Sequence, residues 1–376
     1  MKQRRFCRAK PLIGLLLLSL GVVSSASLPA NAQQEAPPPL QVPIDCKIGA
    51  GPNNCHIAFY PDHDDTQGVK DYRCGARTYS PAAGLMHRGT DFAVLDASVL
   101  NQWKDGGPAV LAAADGIVYS TREGMRDDFS ADPLASNACG NRVVIDHGDG
   151  WLTAYCHMRH SSITVRSGES VKAGDELGRI GLSGNTTFPH LHFSIIRPNA
   201  KGEDIPYDPF SGTPLGKASC SGEDTSFWSK SALAEMPYQA AQIVKLGFTD
   251  RRPLVKTIIR GQRHKKELVW DAYDPIFGFL FFYGARPGLK VQIAIMDEKK
   301  QRLAAGTRVL QKTERGSLSS LSLRDSNTFK DLMLRRGKAP LGQLSLFVRV
   351  LDEENRPIAN GLARTALVTS IDQNSR

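Results

Sequence analysis

Four histidines and one aspartate have the residue types and spacing of a catalytic metal site. His87 and Asp91 form an H-x-x-x-D pattern, His157 ends the run TAYCHM, and His190 and His192 form an H-x-H pair within PHLHFSI. Imidazole nitrogen and carboxylate oxygen are ordinary zinc ligands, and a catalytic zinc needs three protein ligands and one open position. Asp91 and two of the four histidines could therefore bind zinc, which would leave the other two histidines free for acid–base chemistry.

These histidines lie in strand-like runs, where side chains two residues apart point to the same face. We therefore expect His190 and His192 to face one cleft, and Tyr155 and His157 to share a face with Cys156 opposite. Each histidine alone has a simpler interpretation, as a polar strand edge or a hydrogen-bonded core residue. Eight of the nine histidines fall within the first 192 residues, and this clustering favours a shared site. The absence of H-E-x-x-H excludes a thermolysin-like zinc helix.

The runs that must position these residues have β patterns. TDFAV, GIVYS and RVVIDHGDGWLTAY are separated by Gly, Asp and Asn turn signals, which predicts an antiparallel, all-β domain. The last of these runs predicts a hairpin with its turn at residues 147–150. Later runs such as FGFLFFYG and QLSLFVRVL recur at regular spacing, so we expect a second β domain, built as a sandwich.

The first residues have the features of a secretory signal peptide. Residues 1–32 combine a basic start, the apolar run LIGLLLLSLGVV and a final Ala-Asn-Ala, which predicts cleavage after Ala32. Residues 33–43 are rich in proline and predict a linker. The apolar run is short for a membrane span, and no later run reaches the ~18 apolar residues that a span needs.

Cysteine content and charge divide the remaining chain. Residues 33–224 carry 16 Lys and Arg against 24 Asp and Glu, whereas residues 225–376 carry 26 against 14. The basic half indicates either an ordinary soluble surface or a site for an anionic envelope polymer, and we expect no nucleic-acid partner. An even number of cysteines in an exported chain indicates disulfides. Cys7 lies in the predicted signal peptide, and the other six cysteines precede the basic half: Cys46, Cys55, Cys74, Cys139, Cys156 and Cys220.

Four motifs in order resemble the lysostaphin-type (LytM-type) zinc peptidases, which cut peptide cross-links in bacterial cell walls. They are HRGTDF, GNRVVIDHGDGWLTAYCHM, VKAGDELGRIGLSGNTTFPHLHFSI and DPF, and the resemblance covers about residues 84–212. The resemblance implies a groove between small antiparallel β-sheets, with one Zn²⁺ per chain on its floor. It implies that His87, Asp91 and His192 are the zinc ligands, and that His157 and His190 are catalytic residues beside the attacking water.

Two features depart from that pattern. The run TREGMRDDFSADPLASNACG is a long insert between two core strands, and we expect it to line the groove. Cys139 precedes the hairpin strand NRVV and Cys156 lies on the returning strand, so we expect a disulfide between them.

Together these patterns predict a zinc peptidase domain at residues 44–224, with a Cys-rich lead-in and a core at 84–212. Residues 225–376 are predicted to be a basic accessory domain that either binds an envelope polymer or packs on the catalytic groove. The predicted function is an exported, zinc-dependent endopeptidase acting on stem peptides or cross-links of peptidoglycan. The alternative is a non-catalytic, wall-binding activator of another peptidoglycan hydrolase. Export and disulfides favour the periplasm, with full secretion as the second choice.

Overall fold

The fold is taken from a computed structural model. It describes residues 36–49, 55–66, 68–81, 85–94, 98, 100, 106–128, 137–216, 225–261, 264–269, 275–336 and 342–368, without the side chains of residues 332, 335 and 336. The predicted signal peptide and the first residues of the predicted linker lie outside the described residues. Within the described ranges, every helix is too short or too polar to cross a bilayer.

Strands form most of the described chain, which confirms the all-β prediction. The helices are α1 Lys230–Glu235, α2 Val255–Ile259 and α3 Asn327–Arg336. The strands are β1 His56–Phe59, β2 Thr90–Ala93, β3 Ala109–Leu111, β4 Gly116–Arg122, β5 Asn141–Asp146, β6 Leu152–Met158, β7 Ser170–Val171, β8 Glu176–Arg179, β9 His190–Pro198, β10 Asp204–Asp208, β11 Thr213–Pro214, β12 Gln242–Thr249, β13 Glu267–Val269, β14 Phe277–Tyr283, β15 Lys290–Met296, β16 Arg302–Val309, β17 Ser317–Ser322, β18 Gly342–Leu351 and β19 Pro357–Val368.

An antiparallel sheet of nine strands carries the histidines. Seven strands follow the order β1-β2-β9-β6-β5-β4-β7, and β10 and β11 extend from β9. The predicted hairpin is confirmed as β5 and β6, and its turn places Gly148, Asp149 and Gly150 at positive φ. Strand β9 pairs with β2, β6 and β10, so it is the element on which the other site-bearing strands align.

The alternation along β9 separates the core from the site. Leu191, Phe193 and Ile195 are fully buried in the hydrophobic core, while the intervening residues His190 and His192 lie on the opposite face. Burying each such apolar side chain is worth about 1.5–3 kcal/mol. Because a shift of one residue would exchange the two faces, core packing holds the histidines in register.

Disulfides tie down the first half of the chain, as its cysteine content predicts. Cys139 and Cys156 are bonded to each other, which confirms the expected pair, and Cys46 is bonded to Cys55. Cys74 is also in a disulfide, and Cys220 lies outside the described residues. The bond at Cys156 constrains the end of β6, which also carries His157.

The second half forms the β-sandwich that its strand pattern predicts. One sheet has the order β12-β14-β17 and the other β13-β19-β18-β15-β16. All pairings are antiparallel except that of β13 with β19. Their facing side chains form a separate hydrophobic core, which includes Phe248, Phe282, Ile293 and Val348.

The two β regions also pack directly on each other. Arg77 is 1% exposed, and its guanidinium donates hydrogen bonds to the carbonyls of Ala58, Ile57 and Gln239. A third apolar group, hereafter the shared cluster, contains residues of both regions: Ala58, Phe59, Ala93, Ile258, Phe279, Phe281 and Tyr283. The sandwich therefore packs against strands β1 and β2 of the histidine-bearing sheet. Packing of the sandwich on the groove itself stays a prediction.

Replacing Cys139 and Cys156 together by alanine tests the contribution of their disulfide. The bond closes a loop with a sequence separation of 17. Losing a loop closure of this length should lower the free energy of unfolding by about 3 kcal/mol. Urea unfolding followed by tryptophan fluorescence measures the change, and an unchanged midpoint with an unchanged slope would contradict it.

Candidate metal and catalytic site

Strand pairing brings the predicted site residues to one place. Asp91 of β2 lies directly opposite His192 of β9, and His190 lies opposite Ala93 on the same pair of strands. On its other side, His192 is paired with Cys156 of β6. Strands β2 and β6, which are distant in sequence, therefore both pair with β9. His157, the residue of β6 that follows Cys156, lies in the same site.

His87, Asp91 and His192 form a compact cluster with the composition of a metal site. Asp91 Oδ1 lies 3.1 Å from His87 Nε2 and 2.9 Å from His192 Nδ1, and these two nitrogens are 3.2 Å apart. The candidate ligand atoms of the three residues all lie within 4.8 Å of one another. One cation could therefore contact all three.

Hydrogen bonds on the far side of each ring determine which nitrogens face the cluster. His87 Nδ1–H donates to the carbonyl of Tyr60 at 2.8 Å, which leaves Nε2 as the free acceptor. His192 Nε2 is bonded to Ser194 Oγ at 3.0 Å, which leaves Nδ1 toward the cluster. Such outer partners orient metal-binding histidines and select their tautomer.

Two buried polar atoms at the cluster have no hydrogen-bond partner among the described residues. They are Asp91 Oδ2 and His190 Nε2. A buried polar atom without a partner is costly, by about 1–3 kcal/mol. Asp91 is completely buried and His190 is 3% exposed. A bound divalent cation, with water at its open coordination position, would provide partners for such atoms, so the donor set fits Zn²⁺.

His157 and His190 lie beside the cluster, and their rings make the same kind of hydrogen bond to the backbone. Their ring centroids are 4.7 Å apart, and His190 Nε2 is 3.4 Å from Asp91 Oδ1. Each ring donates Nδ1–H to a backbone carbonyl, that of Ser183 at 2.8 Å and that of Phe188 at 2.9 Å. In the neutral form of each ring, Nε2 is left unprotonated and able to accept a proton.

Burial sets the protonation of these groups. It lowers the pKa of both His157 and His190, so both are neutral at pH 7. Burial alone would raise the pKa of Asp91, but the surrounding histidines hold that pKa well below its ordinary value. The site therefore combines one ionised carboxylate, Asp91, with two neutral imidazoles, His157 and His190.

The expectation that Tyr155 and His157 share a face is wrong. Tyr155 is fully buried in the core, where its hydroxyl accepts from the backbone N–H of Ala113 at 2.8 Å. His157 instead lines the groove together with Cys156. The cause is the backbone of His157, whose φ of 61° is left-handed and breaks the strand alternation. A non-glycine residue held there is uncommon and typical of functional sites.

Two aromatic residues that the sequence analysis did not single out pack on the histidines. Tyr79 stacks on His87 with ring centroids 4.3 Å apart, and Phe188 stacks on His190 at the same distance. Burial and the neighbouring carboxylate of Asp91 raise the pKa of Tyr79, so its hydroxyl keeps its proton. The position of Phe188, two residues before the H-x-H pair, is a weak indication in the sequence that it lies near the site. Tyr79 had none, because its contact comes from the tertiary fold.

The site opens into a groove of about 500 Å³. Polar groups lie on its floor and apolar side chains on its walls, including Leu85, Met86, Ile196 and Pro206. Ala138 and Cys139, at the end of the predicted insert, also line it. Residues 129–136 of that insert lie outside the described part of the chain.

The part of the chain that carries the site is similar in sequence to one protein family and to several named proteins. Residues 86–208 match the model of peptidase family M23. Peptidoglycan DD-endopeptidase ShyA of Vibrio cholerae is 37% identical over 124 residues, 32% of this chain and 23% of ShyA. Cell division protein DipM of Caulobacter vibrioides is 36% identical over 105 residues, covering 27% and 15%. Murein hydrolase activator NlpD of Escherichia coli is 34% identical over 89 residues, covering 24% and 20%. The chain thus spans less than a quarter of each relative.

Removing one ligand tests the metal cluster. His192→Ala should lower the affinity for Zn²⁺ by at least about 100-fold, because it removes a ligand rather than an outer partner. Titration of metal-free protein against a chromophoric zinc chelator measures the change. His160→Ala is the matched control, since His160 is exposed and lies outside the cluster. Equal zinc affinities for the two variants would contradict this assignment.

Proposed function

We propose that the protein is a zinc-dependent endopeptidase that hydrolyses peptide bonds of bacterial peptidoglycan, because residues 86–208 match the model of peptidase family M23. The observation that carries the proposal is the complete set of groups that the fold brings together at the site. Three candidate metal ligands stand beside two neutral histidines, each with an unprotonated Nε2. These are the parts that metal-assisted hydrolysis of an amide needs.

His87, Asp91 and His192 would hold the metal. A bound Zn²⁺ supplies a Lewis acid for the scissile carbonyl and lowers the pKa of water. His157 and His190 act as the acid–base pair: one Nε2 accepts the proton of the attacking water, and the imidazolium then donates it to the leaving amine. Their Nδ1 hydrogen bonds to the backbone hold the rings in place during this transfer.

The groove supports a peptide as substrate. It is partly open to solvent rather than fully enclosed, and its volume of about 500 Å³ admits several residues of an extended chain. Apolar walls would bury the backbone of such a chain against the polar floor. The relatives support the wall as the source of the peptide, since ShyA is named as a peptidoglycan DD-endopeptidase. With residues 1–32 as a signal peptide, the periplasm is the proposed compartment.

A non-catalytic activator is the second candidate, because NlpD is named as a murein hydrolase activator. The two candidates differ in what the site must contain. An activator needs a wall-binding surface but no acid–base pair, whereas this chain retains both histidines in neutral form beside the cluster. The intact pair favours the enzyme.

The basic charge of residues 225–376 is the basis on which polymer binding was predicted, and that binding stays a prediction. The packing of the sandwich on the site-bearing strands supports a structural role instead. Neither the fold nor the relatives add support for an anionic envelope polymer, so that partner is not part of the proposal.

Separate measurements of zinc content and of peptide cleavage test the proposed enzymatic function. Zinc-loaded protein should release defined fragments from cross-linked wall peptides, as identified by mass spectrometry. His157→Ala should reduce kcat by about 10²–10⁴-fold, the usual effect of losing an acid–base group, while zinc content stays at one per chain.

His160→Ala should keep both the activity and the zinc. Turnover by His157→Ala at the wild-type rate would contradict the assigned role of His157. An unaltered substrate with wild-type protein, together with faster cleavage by a separate wall hydrolase, would favour the activator instead.

A further inference from the structure

The sandwich contributes one cationic side chain to the rim of the site. Arg315 lies in the loop between β16 and β17, 235 residues after its hydrogen-bond partner Ser80. Its guanidinium lies 3.9 Å from the centre of the Tyr79 ring, and Nη2 donates to the carbonyl of Ser80 at 3.1 Å. Since Tyr79 itself stacks on His87, Arg315 stands one ring away from the metal cluster.

Arg315 lines a small side cavity that is also lined by His190. The side cavity has a volume of about 140 Å³ and shares Tyr79 and Asn185 with the main groove. Since His190 also lines the side cavity, a ligand group held there would lie beside one member of the proposed acid–base pair. Its lining includes Arg315, Tyr79, Asn185, Thr187, Phe188 and His190.

The charge of Arg315 is not neutralised within the described part of the chain. Its only acidic neighbour in the loop, Glu314, is paired with Arg308 at 3.2 Å. Arginine has five N–H donors, and the carbonyl of Ser80 takes one of them. Stacking on a tyrosine ring fixes the plane of the guanidinium and leaves its edge free for in-plane hydrogen bonds. Arg315 is thus a pre-oriented, exposed cation at the mouth of the side cavity.

We propose that Arg315 binds a carboxylate of the peptide substrate in the side cavity, and so selects substrates with a free carboxylate next to the scissile bond. This inference rests on the proposed function. An arginine fork matches a carboxylate with two parallel hydrogen bonds, which a neutral carboxamide cannot reproduce. Asn185 and Thr187 add neutral polar groups to the same lining, and the small volume admits little more than one such group.

Two matched peptides test the selection. They are identical wall-type peptides that carry either a free carboxylate or a carboxamide at the residue next to the scissile bond. For the wild type, kcat/KM should be about 10–100-fold higher for the carboxylate peptide, the usual advantage of a charge-assisted hydrogen bond. In Arg315→Gln this ratio should fall to about 1.

Lys312→Gln provides the control, because Lys312 is an exposed cation of the same loop that does not line the side cavity. It should keep the wild-type ratio. If Arg315→Gln lowers kcat/KM equally for both peptides, Arg315 only supports Tyr79, and the inference is overturned. A wild-type ratio of about 1 overturns it as well.

A binding measurement separates this inference from the proposed function. Zinc-loaded His157→Ala protein should turn peptide over about 10²–10⁴-fold more slowly than the wild type, so calorimetry can compare the binding of the two peptides before appreciable hydrolysis. The carboxylate peptide should bind at least about 10-fold more tightly, and adding Arg315→Gln should remove the difference. Such a result without hydrolysis by the wild type would reject the endopeptidase and retain the carboxylate site. Equal binding of the two peptides would reject the carboxylate site alone.

Discussion

The burial of one carboxylate is the constraint on which the rest of the site depends. Asp91 is completely inaccessible to solvent, and an ionised carboxylate in such a place is strongly unfavourable unless partners surround it. Imidazoles from β9 and from the loop before β2 supply those partners. The pairing of β2 with β9 is therefore an electrostatic requirement as much as a packing arrangement. It leaves the carboxylate ready to bind a cation without further movement of the chain.

Aromatic packing extends this order outward from the ligands. Tyr79 and Phe188 each cover one histidine ring, and Phe59 contacts both of them at centroid distances of 4.9 and 6.0 Å. Phe59 in turn contacts Tyr283 of the sandwich at 4.9 Å. A continuous set of rings thus connects the reacting groups with the second β region. Since packed rings permit little rotation, the sandwich contributes to the geometry of the groove floor.

Sequence patterns were sufficient for the parts that depend on local spacing. The alternation of β9 predicted that His190 and His192 face one cleft, and turn residues predicted the β5–β6 hairpin. The left-handed backbone of His157 was missed, because nothing in TAYCHM marks a break in alternation. Tyr79 and Arg315 were missed for another reason: their contacts join residues far apart in the chain, and no local period records such contacts.

The shared cluster has a consequence for the order in which the molecule matures. A chain that emerges N-terminus first, from a ribosome or a translocation channel, presents all of the histidines before β14 and β17 exist. Until those strands fold, Phe59 lacks Tyr283, and Tyr79 lacks its cation. The histidines of the site therefore reach their final geometry only after most of the sandwich has emerged.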